Sequence, residues 1–147
     1  MEDRLIWVEC PRDAMQGYPT VFKTEDKVEY LRHLLEVGYD TIDIGSFVSP
    51  KAIPQMADTA NVLEALAPHK GQNRFLVIAA NPQGVQQAAQ HPLVDVVGFP
   101  FSASDTFQQR NTRRTQAQAL EELTVHAGTL RTFGKSLVVY EIGRAHV

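Results

Sequence analysis

Arg12 and Asp13 stand together where the apolar run of "WVECPRDAMQG" breaks at Pro11, with Gln16 and Gly17 just beyond. A chain that only needs to turn can do so with Asn, Gly or Ser. A guanidinium and a carboxylate at the end of a strand offer more. Asp13 can bind a hard divalent cation through oxygen. Arg12 can stabilise an oxyanion, because its fork stays charged and directional. Adjacent side chains of an extended chain point in opposite directions, so the two are not expected to pair with each other. The competing reading is a solvated turn in which each charge meets water.

A second carboxylate, Asp43, lies inside the apolar stretch "TIDIGS". Parallel strands are usually covered on both faces, so this carboxylate needs an arginine, a metal or a hydrogen-bond donor. Arg12 is the nearest plausible partner. Gly45 then allows close backbone approach, and Ser46 offers a hydroxyl. The histidines carry less: His33 and His126 fall within helical patterns, His69 and His91 at helix ends, and all four read as surface or boundary residues. Cys10 reads as a small residue at a strand end, with no base in view to make it a nucleophile. Arg110, Arg113 and Arg114 read as a solvated basic turn, with contact to the phosphates of a large anionic cofactor as the alternative.

These positions need a scaffold. Five runs rich in Val, Ile, Leu and Phe predict strands at Leu5–Glu9, Thr41–Ile44, Phe75–Ala79, Val94–Gly98 and Ser136–Tyr140. Between them, apolar residues at helical spacing predict helices over about 25–37, 56–66, 83–90 and 115–133. Thr24 is the expected N-cap of the first and Gly38 its stop. The alternation of strand and helix implies an α/β fold with a parallel sheet. It is either a doubly wound open sheet or part of a (β/α)8 TIM barrel. Neither GxGxxG nor GxxxxGK[ST] occurs, so the phosphate signatures of the open-sheet folds are missing. Instead, Pro11, Pro50, Pro82 and Pro100 follow four strands. Asp43, Ser46, Ser49, Asn81, Ser102, Ser104 and Asp105 gather near the same ends. In a barrel, those loops converge on the face where chemistry is done. A whole barrel takes about 250 residues, and the 147 present predict an incomplete half-barrel of five strands and four helices.

Composition narrows the partners. A net charge of −3, spread along the chain, leaves no electrostatic footprint for nucleic acid or an anionic membrane. No apolar run approaches the ~20 residues of a membrane helix. The N-terminus has no leader pattern, and a single cysteine cannot form an internal disulfide. A reducing, cytoplasmic setting is the expectation.

"PRDAMQG", followed by "DTIDIGSFVSPKAIPQMADTANVL", "NPQG" and "FSASDTFQQRN", resembles 3-hydroxy-3-methylglutaryl-CoA (HMG-CoA) lyase, of the metal-dependent lyase and Claisen-condensing TIM-barrel group. The likeness runs from Leu5 to Tyr140. It implies cleavage of HMG-CoA to acetyl-CoA and acetoacetate, with Mg²⁺ or Mn²⁺ as cofactor and an acyl-CoA as the bound partner. Homo-oligomeric assembly of the full-length parent is an option. By the same resemblance Asp13 is a metal ligand, Arg12 stabilises the enolate oxygen, and Asp43 stands where the family commonly has a supporting glutamate. Arg12, Gln16, Ser46 and Asn81 would line the substrate pocket. Ala14 and Gly45 replace the family's usual Gly and Thr. The family completes its metal site with a His-x-His pair and an Asn, and uses a cysteine on a Gly-rich loop. None of these is in the chain. Residues 1–140 are therefore expected to be the N-terminal half of the lyase domain, inactive alone and poorly soluble through two open strand edges. Residues 141–147, whose "IGRAHV" matches a translated sequencing adapter, are expected to be a non-native tail. Two other readings stand beside this one. The first is a related enzyme condensing acetyl-CoA with 2-oxoacids, of the isopropylmalate or homocitrate synthase kind. The second is a non-catalytic β/α module binding an anionic ligand.

Overall fold

The computed structural model describes residues 4–143. Along the chain run β1 (Val8–Glu9), α1 (Pro11–Gln16), α2 (Thr24–Val37), β2 (Thr41–Ser46), α3 (Thr59–Leu66) and β3 (Arg74–Ile78). They are followed by α4 (Pro82–Gln90), β4 (Val96–Ser102), α5 (Asp105–Thr112), α6 (Gln116–Thr132) and β5 (Ser136–Ile142). The strands form one all-parallel sheet in the order β1-β2-β3-β4-β5. A doubly wound sheet must reverse its strand order at a switch point, and this one does not. Sequential parallel strands with crossovers of one hand put every helix on the same side, as in a barrel wall. The architecture is half of a (β/α)8 barrel, with β1 and β5 as its two edges.

The helix-facing side holds the core. Ile42, Ile44, Phe75, Val77, Val97 and Phe99 from the strands meet Leu31 and Leu35 of α2, Val62, Leu63 and Leu66 of α3, Val85 and Ala88 of α4, and Leu130 of α6. The edges are bare by comparison. Leu5, Ile6 and Trp7 are 71%, 65% and 59% exposed, and only Val8 and Glu9 of the expected first strand pair with β2. Val138 and Val139 of β5 are also exposed.

Local chemistry sets the element ends. Pro11 and Pro82 open α1 and α4, where a missing N–H costs nothing. Asn81 caps α4 by accepting from the Gly84 amide. α6 starts with a complete capping box, Thr115 and Gln118 each bonding the other's backbone N–H. Thr115→Ala is expected to cost about 1 kcal/mol in urea unfolding. A variant indistinguishable from the parent would mean that the box contributes nothing.

Several expectations need correcting. Thr24 is not the cap of α2 but its first residue, with Lys23 ahead of it, because its hydroxyl donates to Asp58 Oδ2 at 2.7 Å instead. The helix expected over 56–66 begins only at Thr59, after a tight 3-10 turn at Pro54–Met56. Pro100 does not follow β4 but sits inside it. The Gly98 carbonyl accepts from Ala79, so the nitrogen two residues on also points to the β3 side. β3 pairs with β4 only as far as Gly98, and no ladder bond is lost there. His126 is not a surface residue: it is 3% exposed, and its ring lies 5.2 Å from that of Phe99. Burial holds its pKa below the ordinary histidine value. β5 runs on to Ile142, two residues past its expected end at Tyr140, with Glu141 and Ile142 opposite Phe101 and Ser102; residues 144–147 of the expected tail lie outside the described residues.

Candidate functional site

At the C-terminal ends of the strands, a cleft of about 640 Å³ is lined by Arg12, Asp13 and Gln16 of α1, Ile53, Ile78, Asn81, Thr112 of α5, and Tyr140 and Ile142 of β5. That volume lies within the range of small-molecule sites.

Arg12 anchors it. The residue is 7% exposed, and its Nε and Nη2 both donate to Asp43 Oδ2, at 3.0 and 2.7 Å. Its Nη1 donates to Gln16 Oε1 at 2.9 Å and to Asp13 Oδ1 at 3.1 Å. The guanidinium thus spans from the buried strand to the cleft. The Arg12–Asp13 contact corrects the expectation that neighbours would point apart. That argument assumed extended backbone, but Pro11 starts a helix and turns both side chains the same way.

Asp43 is fully buried, and among the described residues its Oδ1 has no hydrogen-bond partner. Burial pushes its carboxyl above the usual carboxylate range, while the hydrogen bonds and charge of Arg12 pull the other way. β2 carries an irregularity between Asp43 and Gly45. It sets Asp43 opposite Leu76 and Gly45 opposite Val77, and so brings the glycine under α3. A Cβ on Gly45 would lie 2.6 Å from the Thr59 side chain, so a bare position is required. Asp43 itself does not line the cleft; it holds Arg12 from beneath.

The other expected residues separate. Asp13 is at the rim, its side chain 74% exposed. Among the described residues, no group of three or more His, Cys, Asp or Glu could hold a metal ion. Asp13 therefore fits as one oxygen ligand of a hard cation, not as a whole site. Gln16 lines the cleft. Asn81 lines it too, with Oδ1 committed to the α4 cap. Ser46 does not reach it. It lines a neighbouring cavity of about 370 Å³ under the loop after β2, which shares Val48, Ser49 and Asn81 with the cleft. Of the three arginines read as a basic turn, Arg114 pairs with Glu122 at 2.6 Å.

Sequence reasoning missed Tyr140. It faces the cleft across Gly98, where a Cβ would lie 2.5 Å from Ile78 Cδ1 and 2.6 Å from the tyrosine ring. Its position in the inward alternation of β5 was the available signal. Burial first, then the nearby charge of Asp43, push its phenol up to about 12 from an ordinary 10.0. Because the folded state holds this proton longer, stability should fall as pH rises from about 10 through about 12. A phenolate absorbance titration checks this; ionisation of all four tyrosines near pH 10 would refute it.

No family model matches the chain. The (R)-citramalyl-CoA lyase of Chloroflexus aurantiacus is 33% identical over 93% of this chain and 47% of its own length. The 3-hydroxy-3-isohexenylglutaryl-CoA/hydroxy-methylglutaryl-CoA lyase of Pseudomonas aeruginosa is 34% identical over 76% of this chain and 36% of its own. Among solved structures, hydroxymethylglutaryl-CoA lyase from Pseudomonas aeruginosa matches with a TM-score of 0.83 and 30% identity, over 94% of this chain and 45% of that one. An HMG-CoA lyase from Acinetobacter baumannii, in complex with coenzyme A and 3-methylmalate, matches with a TM-score of 0.84 and 29% identity, over 93% of this chain and 44% of that one. The chain spans about half the length, or less, of these relatives. Its fold corresponds to a fragment of an HMG-CoA lyase TIM barrel.

Proposed function

We propose that this chain, whose curated homologues are HMG-CoA and citramalyl-CoA lyases, is the N-terminal half of a TIM-barrel lyase that cleaves HMG-CoA to acetyl-CoA and acetoacetate. The observation that carries this is Arg12, buried at a cleft of substrate size and gripped by Asp43. Apolar residues of equal volume often stabilise a fold as well as a buried ion pair does, so packing alone does not account for a guanidinium at this place. A retro-Claisen step supplies one. The 3-hydroxyl loses its proton, the C2–C3 bond breaks to leave a ketone, and the bonding electrons pass to the thioester as an enolate, which is then protonated at C2. Negative charge develops on the enolate oxygen, where a fixed guanidinium is worth most.

Arg12 is the catalytic residue in this reading. Its Nη1 would exchange Gln16 and Asp13 for the substrate oxygen, while Nε and Nη2 stay on Asp43. Asp43 orients it, and Gln16 and Asn81 meet the acyl-CoA. Asp13 would hold Mg²⁺ or Mn²⁺ jointly with ligands outside this half-barrel, and the bound cation would polarise substrate oxygens. A cytoplasmic setting belongs to the same reading; among the described residues no helix is long and apolar enough to cross a membrane.

The test is product analysis on the full-length protein with Mg²⁺, offering HMG-CoA, citramalyl-CoA, and acetyl-CoA with a 2-oxoacid. Acetyl-CoA and acetoacetate from HMG-CoA are expected. Condensation, or cleavage of citramalyl-CoA alone, would overturn the substrate assignment.

A further inference from the structure

The turn that carries "PQMAD" lies beside the cleft rather than in it, yet it touches the helix that bears Arg12. Gln55 is 2% exposed. Its Nε2 donates to the carbonyls of Met15 and Thr20, at 3.2 and 3.1 Å. Its Oε1 accepts from the Phe22 amide at 2.9 Å. The Gln55 carbonyl accepts in turn from Lys27 Nζ, an ammonium only 4% exposed that also bonds Asp58 Oδ1 at 2.7 Å. The turn is thereby fastened to α2 on one side and to residues 15–22 on the other.

That second attachment matters because α1 has six residues, too few to be stable alone. Its first turn is held by Arg12 on Asp43. Its last is held by Gln55 on Met15. Only a carboxamide can donate to two carbonyls and accept from an N–H at the same place. Glutamate could keep the Phe22 bond but neither of the others.

We propose that Gln55 is a positioning residue for the Arg12–Asp13 pair: it clamps the C-terminal end of α1, so that the guanidinium stays seated on Asp43 and the Asp13 carboxylate stays at the rim. The inference rests on reading those two residues as the working groups of the site. Its test follows their geometry rather than turnover, so the two can fail separately.

The test uses the full chain, uniformly ¹⁵N-labelled. Hydrogen exchange is followed at Arg12 Nε–H and, as a fold reference, at the amides of Phe75 and Val77 in β3. In Gln55→Ala and Gln55→Glu, protection of Arg12 Nε–H is expected to fall about tenfold or more, the scale of one or two lost buried hydrogen bonds, with β3 protection little changed. Unchanged Arg12 protection would overturn the proposal, and so would loss in equal proportion at β3. Unfolding of both variants would overturn it as well, since Gln55 would then be a determinant of the whole sheet rather than a local clamp.

Discussion

Arg12→Met is expected to destabilise the fold by about 3–5 kcal/mol at neutral pH, the scale of a buried charge that loses its partner. Asp43 is fully enclosed and receives both of its arginine bonds on one oxygen, and among the described residues no other cation pairs with it. The loss should depend on pH with a definite sign. Burial already raises the Asp43 carboxyl, and removing the cation raises it further. The folded variant then binds a proton that the unfolded chain releases near the ordinary value of about 4. Its stability should recover as pH falls through the raised pKa toward that value, and the deficit should be full above it. Arg12→Met combined with Asp43→Leu should regain most of the loss, because no charge is left buried. Urea unfolding of both single variants and the double across pH decides. A double variant as weak as the sum of its single changes would mean that the pair does not act as a unit.

Arg12→Lys in the full-length protein is expected to lower kcat of the proposed cleavage by roughly 10²–10³ with KM little moved, the usual cost of losing an oxyanion donor. Lysine keeps the charge but not the fork. It cannot hold Asp43 with two donors while a third faces the cleft, as Nε, Nη2 and Nη1 do. Steady-state kinetics with HMG-CoA checks this, and near-normal kcat would remove Arg12 from the chemistry. By contrast, the 147-residue chain alone should show no cleavage with Mg²⁺, since one rim carboxylate cannot hold a hard cation.

The alternation of apolar runs and helical stripes carried the fold class, because a parallel strand buried on both faces leaves a clear mark in the sequence. The pairing of Asp43 with Arg12 was readable for the same reason: a carboxylate in an apolar strand has few ways to be satisfied. α1 was not readable. Six residues show no helical period, and "PRDAMQG" looks like a turn although Pro11 at its head is a helix-start signal. α5, "DTFQQRNT", has no apolar stripe, so only Ser104 as its cap and Asp105 in its first turn marked it. Ser46 was expected in the substrate pocket from the family resemblance alone. The irregularity in β2 and the grip of Thr59 on the Ser46 amide, 3.1 Å, place it in the adjoining cavity. The role of Gln55 could not be read at all, since its partners at Met15, Thr20 and Phe22 are backbone groups without a sequence signature.

The unbroken strand order has a consequence for biosynthesis. Each strand pairs only with the one made just before it, as in Val8 with Thr41, Thr41 with Arg74, Leu76 with Val96 and Val96 with Ser136. Every closure therefore spans roughly 20 to 40 residues, and none waits for a distant segment. A nascent chain can lay down this wall strand by strand as it leaves the ribosome, from its N-terminal end. Arg12 can meet Asp43 as soon as β2 has emerged, so the charged heart of the cleft can be assembled early in translation.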